Sequence, residues 1–414
     1  MMNHEAIRIP LEIQIGQELY QQIQGKVLET LLREAKVEKT ENYFKNILQG
    51  HSFKVNEKLA PRLYDSFIEV MNRLDFQEST EFFITNNPEL NAFAVSRLEP
   101  DESHIININS GLIDKVDDDE LKFIIGHEIG HLISNNATIA QLLDFVFVNQ
   151  EETPLMMQHK IAVWDKLSEL TADRFGYIAC GTLDKVLSCF FKMASGLSVE
   201  RLNFDPKAFS AENEEILKYF KETGSGNLLS HPINPIRIKA VELFENSDLY
   251  RNLLTGNSME VDLNLDNQIS DLIQSLMVIS NSPLNYHRTC FIASAGLIVA
   301  GIDKAIKPEE YNAIIDELSA FTVFPKQTLK AMIDENKMEQ FFENSIKELL
   351  EINPGEKNMM LEYMINIIIA DSIISDTELN FIFDFGVKLG FERKEIAQIF
   401  AAAIQEKFIP NIYS

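Results

Sequence analysis

The stretch DDDELKFIIGHEIGHLISNN at residues 117–136 constrains this chain more than any other. Asp117, with Glu120 three residues on, has capping-box spacing and opens a helix. Ser134-Asn135-Asn136 closes it, because Asn tolerates the left-handed conformation. Phe123, Ile124, Ile125, Ile129, Leu132 and Ile133 make the rest of the helix apolar, so it is buried. Two histidines and a glutamate inside a buried helix need partners. His127 and His131 stand at i and i+4 on one face, so both imidazoles reach the same metal ion. Glu128 reaches a water on that ion without ligating it. Zinc suits this set, since it accepts neutral imidazole and lowers the pKa of its bound water to about 7. Glu128 can then take the water's proton and pass it to a leaving amine.

A zinc site of this kind needs a third protein ligand. No G-x-x-H follows His131, which excludes a third histidine at metzincin spacing. A carboxylate further along is the remaining option. In WDKLSELTADRFGY, residues 164–177, Glu169 and Asp173 lie four apart on one helix face. In isolation such a pair reads as a solvated face. Beside a two-histidine half-site that lacks a ligand, the metal reading takes precedence.

The 414 residues are 45% hydrophobic, enough for two or three compact domains. Lys plus Arg is 37 against 63 Asp plus Glu, a net charge of −26. A chain this acidic lacks the basic stripe that nucleic acid or an anionic membrane surface requires. Cys180, Cys189 and Cys290 are odd in number and form no C-x-x-C, which argues against a disulfide framework or a cysteine zinc site. The longest apolar run, Phe291 to Ile302, is too short to span a membrane and reads as a buried helix. With no secretory signal visible at the start, the expectation is a soluble, cytoplasmic protein. His4, His51, His104, His159 and His287 have no spacing partner and read as ordinary surface or core residues.

Helices are expected at 16–49, 59–76, 155–180, 183–196, 211–221 and 235–246. Short strands are expected at Phe82–Thr85, Ala92–Val95 and Ile105–Ile108, each bounded by turn formers. Residues 247–263, rich in Asn, Asp, Gly and Ser, are the best linker candidate. Residues 264–407 read as almost pure helix with an internal repeat. Asp303, Ile306, Glu310 and Ile314 recur 68 residues later as Asp371, Ile374, Glu378 and Ile382.

Four features in order give residues 58–240 a resemblance to the HtpX-like and CAAX-prenyl-protease-like zinc metallopeptidases of the gluzincin class. They are Asn91-Ala92-Phe93-Ala94, the His127–His131 motif, Glu169-Leu-Thr-Ala172-Asp173, and Ser230-His231-Pro232 followed by Arg237-Ile238. The resemblance implies that Glu169 is the third zinc ligand, with Asp173 and Arg237 standing behind the ligands. It also implies that Asn91–Val95 is an edge strand to which an extended peptide adds. For His231 it implies a functional role, either as hydrogen-bond donor to the oxyanion or as occupant of zinc's fourth position. Unlike the membrane-embedded relatives, this chain shows no transmembrane segment, so their membrane substrates do not carry over. Residues 264–414 resemble instead the TerB-like helical domain, on the pattern A-D-S-I-I-S-D-T-E at 370–378 and its earlier echo. The acidic loop Asp371–Glu378 lacks the EF-hand pattern, and packing or interaction is its favoured role over cation binding.

The expected fold is α+β and mostly helical: an N-terminal helical segment (1–57), a zincin-like peptidase core with a small sheet (58–250), and a C-terminal all-α domain (264–414). The expected activity is zinc-dependent hydrolysis of internal peptide bonds, with one Zn2+ per chain and a peptide or unfolded protein as substrate. Rival readings are a non-catalytic scaffold, or a latent protease whose helical domain recruits partners or gates the site.

Overall fold

The computed structural model describes residues 2–35, 41–97, 101–147, 155–199, 202–223, 234–256, 262–274, 283–302, 306–319, 321–322, 325–334, 338–370 and 374–406. The chain divides into two compact units, Met1–Val278 and Ile279–Ser414. Among the described residues the architecture is mostly helical α+β, and no helix is long and apolar enough to cross a membrane.

The first unit runs α1 (His4–Ile7), α2 (Pro10–Gln22), α3 (Gly25–Ala35), α4 (Glu41–His51), β1 (Ser52–Lys54), α5 (Pro61–Arg73), β2 (Thr80–Thr85), β3 (Ala92–Val95) and β4 (His104–Asn109). It continues with α6 (Ser110–Ile113), α7 (Asp118–Ile133), α8 (Asn136–Val146), α9 (Leu155–Cys180), α10 (Leu183–Ser195), α11 (Pro206–Thr223), α12 (Asn234–Glu245), α13 (Asp248–Thr255) and α14 (Leu263–Gln274). The sheet has the order β1-β2-β4-β3. β2 and β4 pair in parallel, from Thr80 opposite His104 to Thr85 opposite Asn109. β3 runs antiparallel to β4, from Ala92 opposite Ile108 to Val95 opposite Ile105. β3 is therefore an edge strand. All six residues of β4 are buried, as expected of a strand covered on both faces. β1 escapes the sequence reading because it is only three residues long and largely exposed.

Local chemistry sets the ends of α7. The Asp117 carboxylate accepts from the N–H groups of Asp119 and Glu120, and the Glu120 carboxylate accepts the Asp117 N–H at 2.8 Å. At the far end Asn135 takes φ +58°, the left-handed conformation. The chain then turns straight into α8, a helix the sequence reading leaves unassigned. Buried Ile139, Leu142 and Leu143 hold α8 in place. Residues 247–263 are not simply a linker, since α13 lies within them. Ser247 caps α13 by accepting the Tyr250 N–H at 3.1 Å, and Gly256 closes it at φ +69°. The residues that suggest a linker are here the two caps of a short helix. α14 packs against α12 and lies in the first unit.

The second unit holds α15 (Pro283–Ala300), α16 (Pro308–Leu318), α17 (Pro325–Asp334), α18 (Met338–Ile352), α19 (Glu356–Ile368), α20 (Asp376–Lys388) and α21 (Arg393–Glu406). α15 and α19 end at 300 and 368, α16 and α20 begin at 308 and 376, and α17 and α21 begin at 325 and 393. Each pair is offset by the same 68 residues as the sequence repeat. Glu310 and Glu378 play the same part in both copies, accepting the N–H of Lys307 and of Ser375 at 2.8 and 2.7 Å. Ile314 and Ile382 are both fully buried. Asp303 and Asp371 lie outside the described residues.

Candidate metal centre

The centre is built by close approach of α7 and α9. A Cβ on Gly126 would sit 2.4 Å from the Cβ of Ala179, and one on Gly176 would sit 2.8 Å from the Phe123 ring. Gly130 in turn lies against Ala172. Small residues at i and i+4 on α7 thus face small residues on α9, and the two backbones come together where larger side chains would hold them apart. α9 consequently delivers Glu169 to the histidines of α7, although it lies thirty-eight positions after His131.

The Nε2 atoms of His127 and His131 lie 3.2 Å apart. Glu169 brings one carboxylate oxygen to 3.6 Å from His127 Nε2 and the other to 3.4 Å from His131 Nε2. Three donors on a tetrahedral zinc ion, each about 2.1 Å from the metal, stand about 3.4 Å from one another. The set therefore fits zinc in both donor chemistry and spacing. Among the described residues it is the one group of three or more His, Cys, Asp or Glu that converges in this way. Among the described residues the set offers two imidazoles and one carboxylate, which would leave a fourth zinc position as catalytic sites do.

Behind the donors, His127 Nδ1 donates to Asp173 at 3.0 Å, which turns the Nε2 lone pair toward Glu169. Asp173 is fully buried and is itself held by Arg237, whose Nε and Nη2 donate to its two oxygens at 2.8 and 2.5 Å. Arg237 also reaches Glu169 at 3.4 Å and lies over the Phe190 ring, 4.8 Å from its centroid. Burial pushes the Glu169 carboxyl up. The hydrogen bond to His131 and the charges of His127 and Arg237 outweigh it and hold the group well below its usual range. Asp173 follows the same logic: burial opposes ionisation and Arg237 overcomes it. Glu128 differs, because burial dominates over the two histidines and its carboxyl is raised. A carboxylate with raised proton affinity beside a metal set is suited to accept and return a proton.

His127, Glu128, His131 and Glu169 line one cavity of about 490 Å³. Asn91, Ala92, Phe93 and Ala94 line it as well, so the edge strand named from the sequence borders the same space as the metal set. The outer edge of β3 carries no further strand among the described residues. His231 lies outside the described residues. Asp165, one turn before Glu169 on α9, also borders the cavity and has no counterpart in the sequence reading. Burial, Glu169 and Asp144 push its carboxyl up to about 7. The series Asp165, Glu169, Asp173 at steps of four was visible in the sequence and is the signal that could have found it.

Compared with known proteins, residues 57–244 match the family model described as peptidase family M48. The match takes in a little under half of the chain. The chain is similar to plastoglobule-localized metallopeptidase 48 of Arabidopsis thaliana chloroplasts, 22% identical over 221 residues, or 50% of this chain and 63% of that protein. It is also similar to protease HtpX homologs of Helicobacter acinonychis, 28% identical over 102 residues, and Helicobacter pylori, 29% over 103. Each of those two matches takes in 23% of this chain and 32% of the relative. The chain thus spans less than two thirds of the length of these curated relatives. No solved structure matches it. The family match and these relatives support a metallopeptidase, a class in which zinc is the usual metal.

Proposed function

We propose that the chain is a zinc-dependent metalloendopeptidase with a zincin-like core, acting on extended peptides or unfolded proteins. The observation that carries this reading is the convergence of His127, His131 and Glu169 at mutual distances suited to tetrahedral zinc, with Glu128 in the same cavity. Zinc held there would supply Lewis-acid polarisation of the scissile carbonyl and a lowered pKa for water. Glu128 takes a proton from the attacking water on a carboxylate oxygen and returns it to the leaving amine nitrogen. Asp173 and Arg237 keep the His127 ring and the Glu169 carboxylate in place through that exchange. β3 offers its outer edge to the substrate backbone, which fixes the peptide in an extended conformation.

His231 enters this proposal from the sequence alone. As an oxyanion donor its removal would lower turnover about 10²–10³-fold with zinc retained. As a latch on the metal its removal would raise turnover. A cytoplasmic site of action belongs to the same proposal, supported by three buried free cysteines. The second unit is proposed to recruit a protein partner or to gate the site, on the strength of its TerB-like pattern.

The test is metal analysis together with cleavage of casein-like unfolded substrates. The parent protein should carry about one zinc per chain. Glu169→Ala should lose most of it. Glu128→Gln should keep the zinc and lose cleavage, because an amide cannot accept the proton. Cleavage by Glu128→Gln at the parental rate would refute the mechanism.

A further inference from the structure

Asp165 lines the same cavity as the three donors, and only the more distant charges of Lys166 and His131 offset its own. It projects from the same face of α9 as Glu169, yet it is not one of the three converging donors. Among the described residues its side chain forms no hydrogen bond and no ion pair. Two of the carboxylates against the metal set have a cation to answer them: Arg237 serves both Asp173 and Glu169. Trp164, Ala137 and Ala140 line the same cavity and offer apolar surface. Asp144 on α8 and Glu169 both add negative potential at this point.

A half-buried carboxylate facing two others is unfavourable by itself, since both desolvation and like charge oppose it. Arg237 is already engaged by Asp173 and Glu169, and a metal ion would sit at the donor set one helical turn away. A cation carried by the ligand would balance the charge. An extended chain along β3 presents alternate side chains toward the helical wall of the cavity, where a Lys or Arg can reach Asp165. The aliphatic stem of such a side chain suits the apolar wall, and its charged end suits the carboxylate.

We propose that Asp165 is a specificity-determining residue whose carboxylate binds the positively charged side chain of a Lys or Arg in the bound peptide. The cleavage part of this inference rests on the peptidase reading, whereas the binding part does not. Zinc-loaded full-length protein is assayed against pairs of internally quenched peptides that are identical except for Lys or Gln at one position, with that position moved along the peptide. At one position kcat/KM should favour Lys on the order of tenfold to a hundredfold, the range of a charge-assisted hydrogen bond. Asp165→Asn should bring that ratio toward one with zinc content unchanged, and Asp165→Glu should restore part of it. The same peptides, dye-labelled, are titrated by fluorescence anisotropy against Glu128→Gln and against the Glu128→Gln, Asp165→Asn double variant.

An Asp165-dependent preference in binding supports the basic subsite; if the zinc-loaded parent protein nevertheless cleaves nothing, the peptidase reading fails while the subsite stands. Equal affinity for the Lys and Gln peptides at every position overturns the subsite. A preference for Lys that survives Asp165→Asn overturns it too. So does loss of zinc on Asp165→Asn, which would assign the carboxylate to the metal centre.

Discussion

Replacing Gly126 by Ala tests whether the close contact of α7 and α9 builds the metal centre. In an isolated helix the change is favourable by about 1 kcal/mol, because Ala is the better helix former. Here the new Cβ would lie 2.4 Å from the Ala179 Cβ and 3.1 Å from both the Gly176 Cα and the Phe175 carbonyl oxygen. Carbon atoms in contact sit about 3.5–4.0 Å apart. None of the three neighbours can be moved by a rotamer change, so α9 must retreat by about 1 Å. Overpacking of this kind costs about 1–3 kcal/mol, and backbone neighbours place it at the upper end. After the helix-propensity gain, a net loss of about 2 kcal/mol is expected. The same retreat withdraws Glu169 from the histidines and should weaken zinc binding about 10–100-fold, as loss of a supporting contact does. The chain has one tryptophan, Trp164, which is buried on α9, so its fluorescence during urea unfolding reports the first unit alone. Zinc affinity is read by competition with a chromogenic chelator. Gly50→Ala is the control: it lies in α4 and its Cβ meets nothing within 4 Å. If Gly126→Ala unfolds with the parent and binds zinc as tightly, the small-residue contact is not what positions Glu169.

Asp173→Asn keeps the shape of the side chain but removes the charge that Arg237 and His127 answer; zinc affinity should fall about 10–100-fold, measured by the same competition. In the second unit, Arg288 hydrogen-bonds Glu356 at 2.6 and 2.8 Å and holds its carboxyl below the ordinary 4.5, against a smaller effect of burial. A depressed acid stabilises the fold fully above its unfolded value, and that stability is lost as pH falls through the folded value. The stability difference between parent and Glu356→Gln should therefore be constant near neutrality and shrink below pH 4.5, as followed by circular dichroism in urea. A chain ending at Val278 should remain folded and bind zinc like the full chain. Aggregation of that shorter chain would show that the second unit completes the first, and a rise in its peptide cleavage would reveal gating.

Much of the candidate metal centre was legible in the sequence because its parts are local. The i, i+4 spacing places His127 and His131 on one face of any α-helix, and Glu169 and Asp173 on one face of another. The Asp117–Glu120 capping box is likewise a matter of three residues and three hydrogen bonds, so the start of α7 could be read directly. Strands of four to six residues between turn formers gave up their positions for the same reason, as did the 68-residue recurrence of Glu310 at Glu378. β1, α8 and α13 were less legible. β1 and α13 are short, α8 follows α7 without a connecting loop, and what holds each is a partner distant in the chain or a cap that resembles a loop. The sequence by itself therefore determined which side chains could share a helical face and where the helices carrying them begin. Only the tertiary structure decided that the face of α9 meets that of α7, that β3 ends at the sheet edge beside them, and that Asp165 borders the cavity. Local spacing follows from backbone hydrogen bonding within a few residues. Approach between elements depends on which surfaces can interlock, here Gly126 and Gly130 against Ala172, Gly176 and Ala179, across some forty residues of intervening chain.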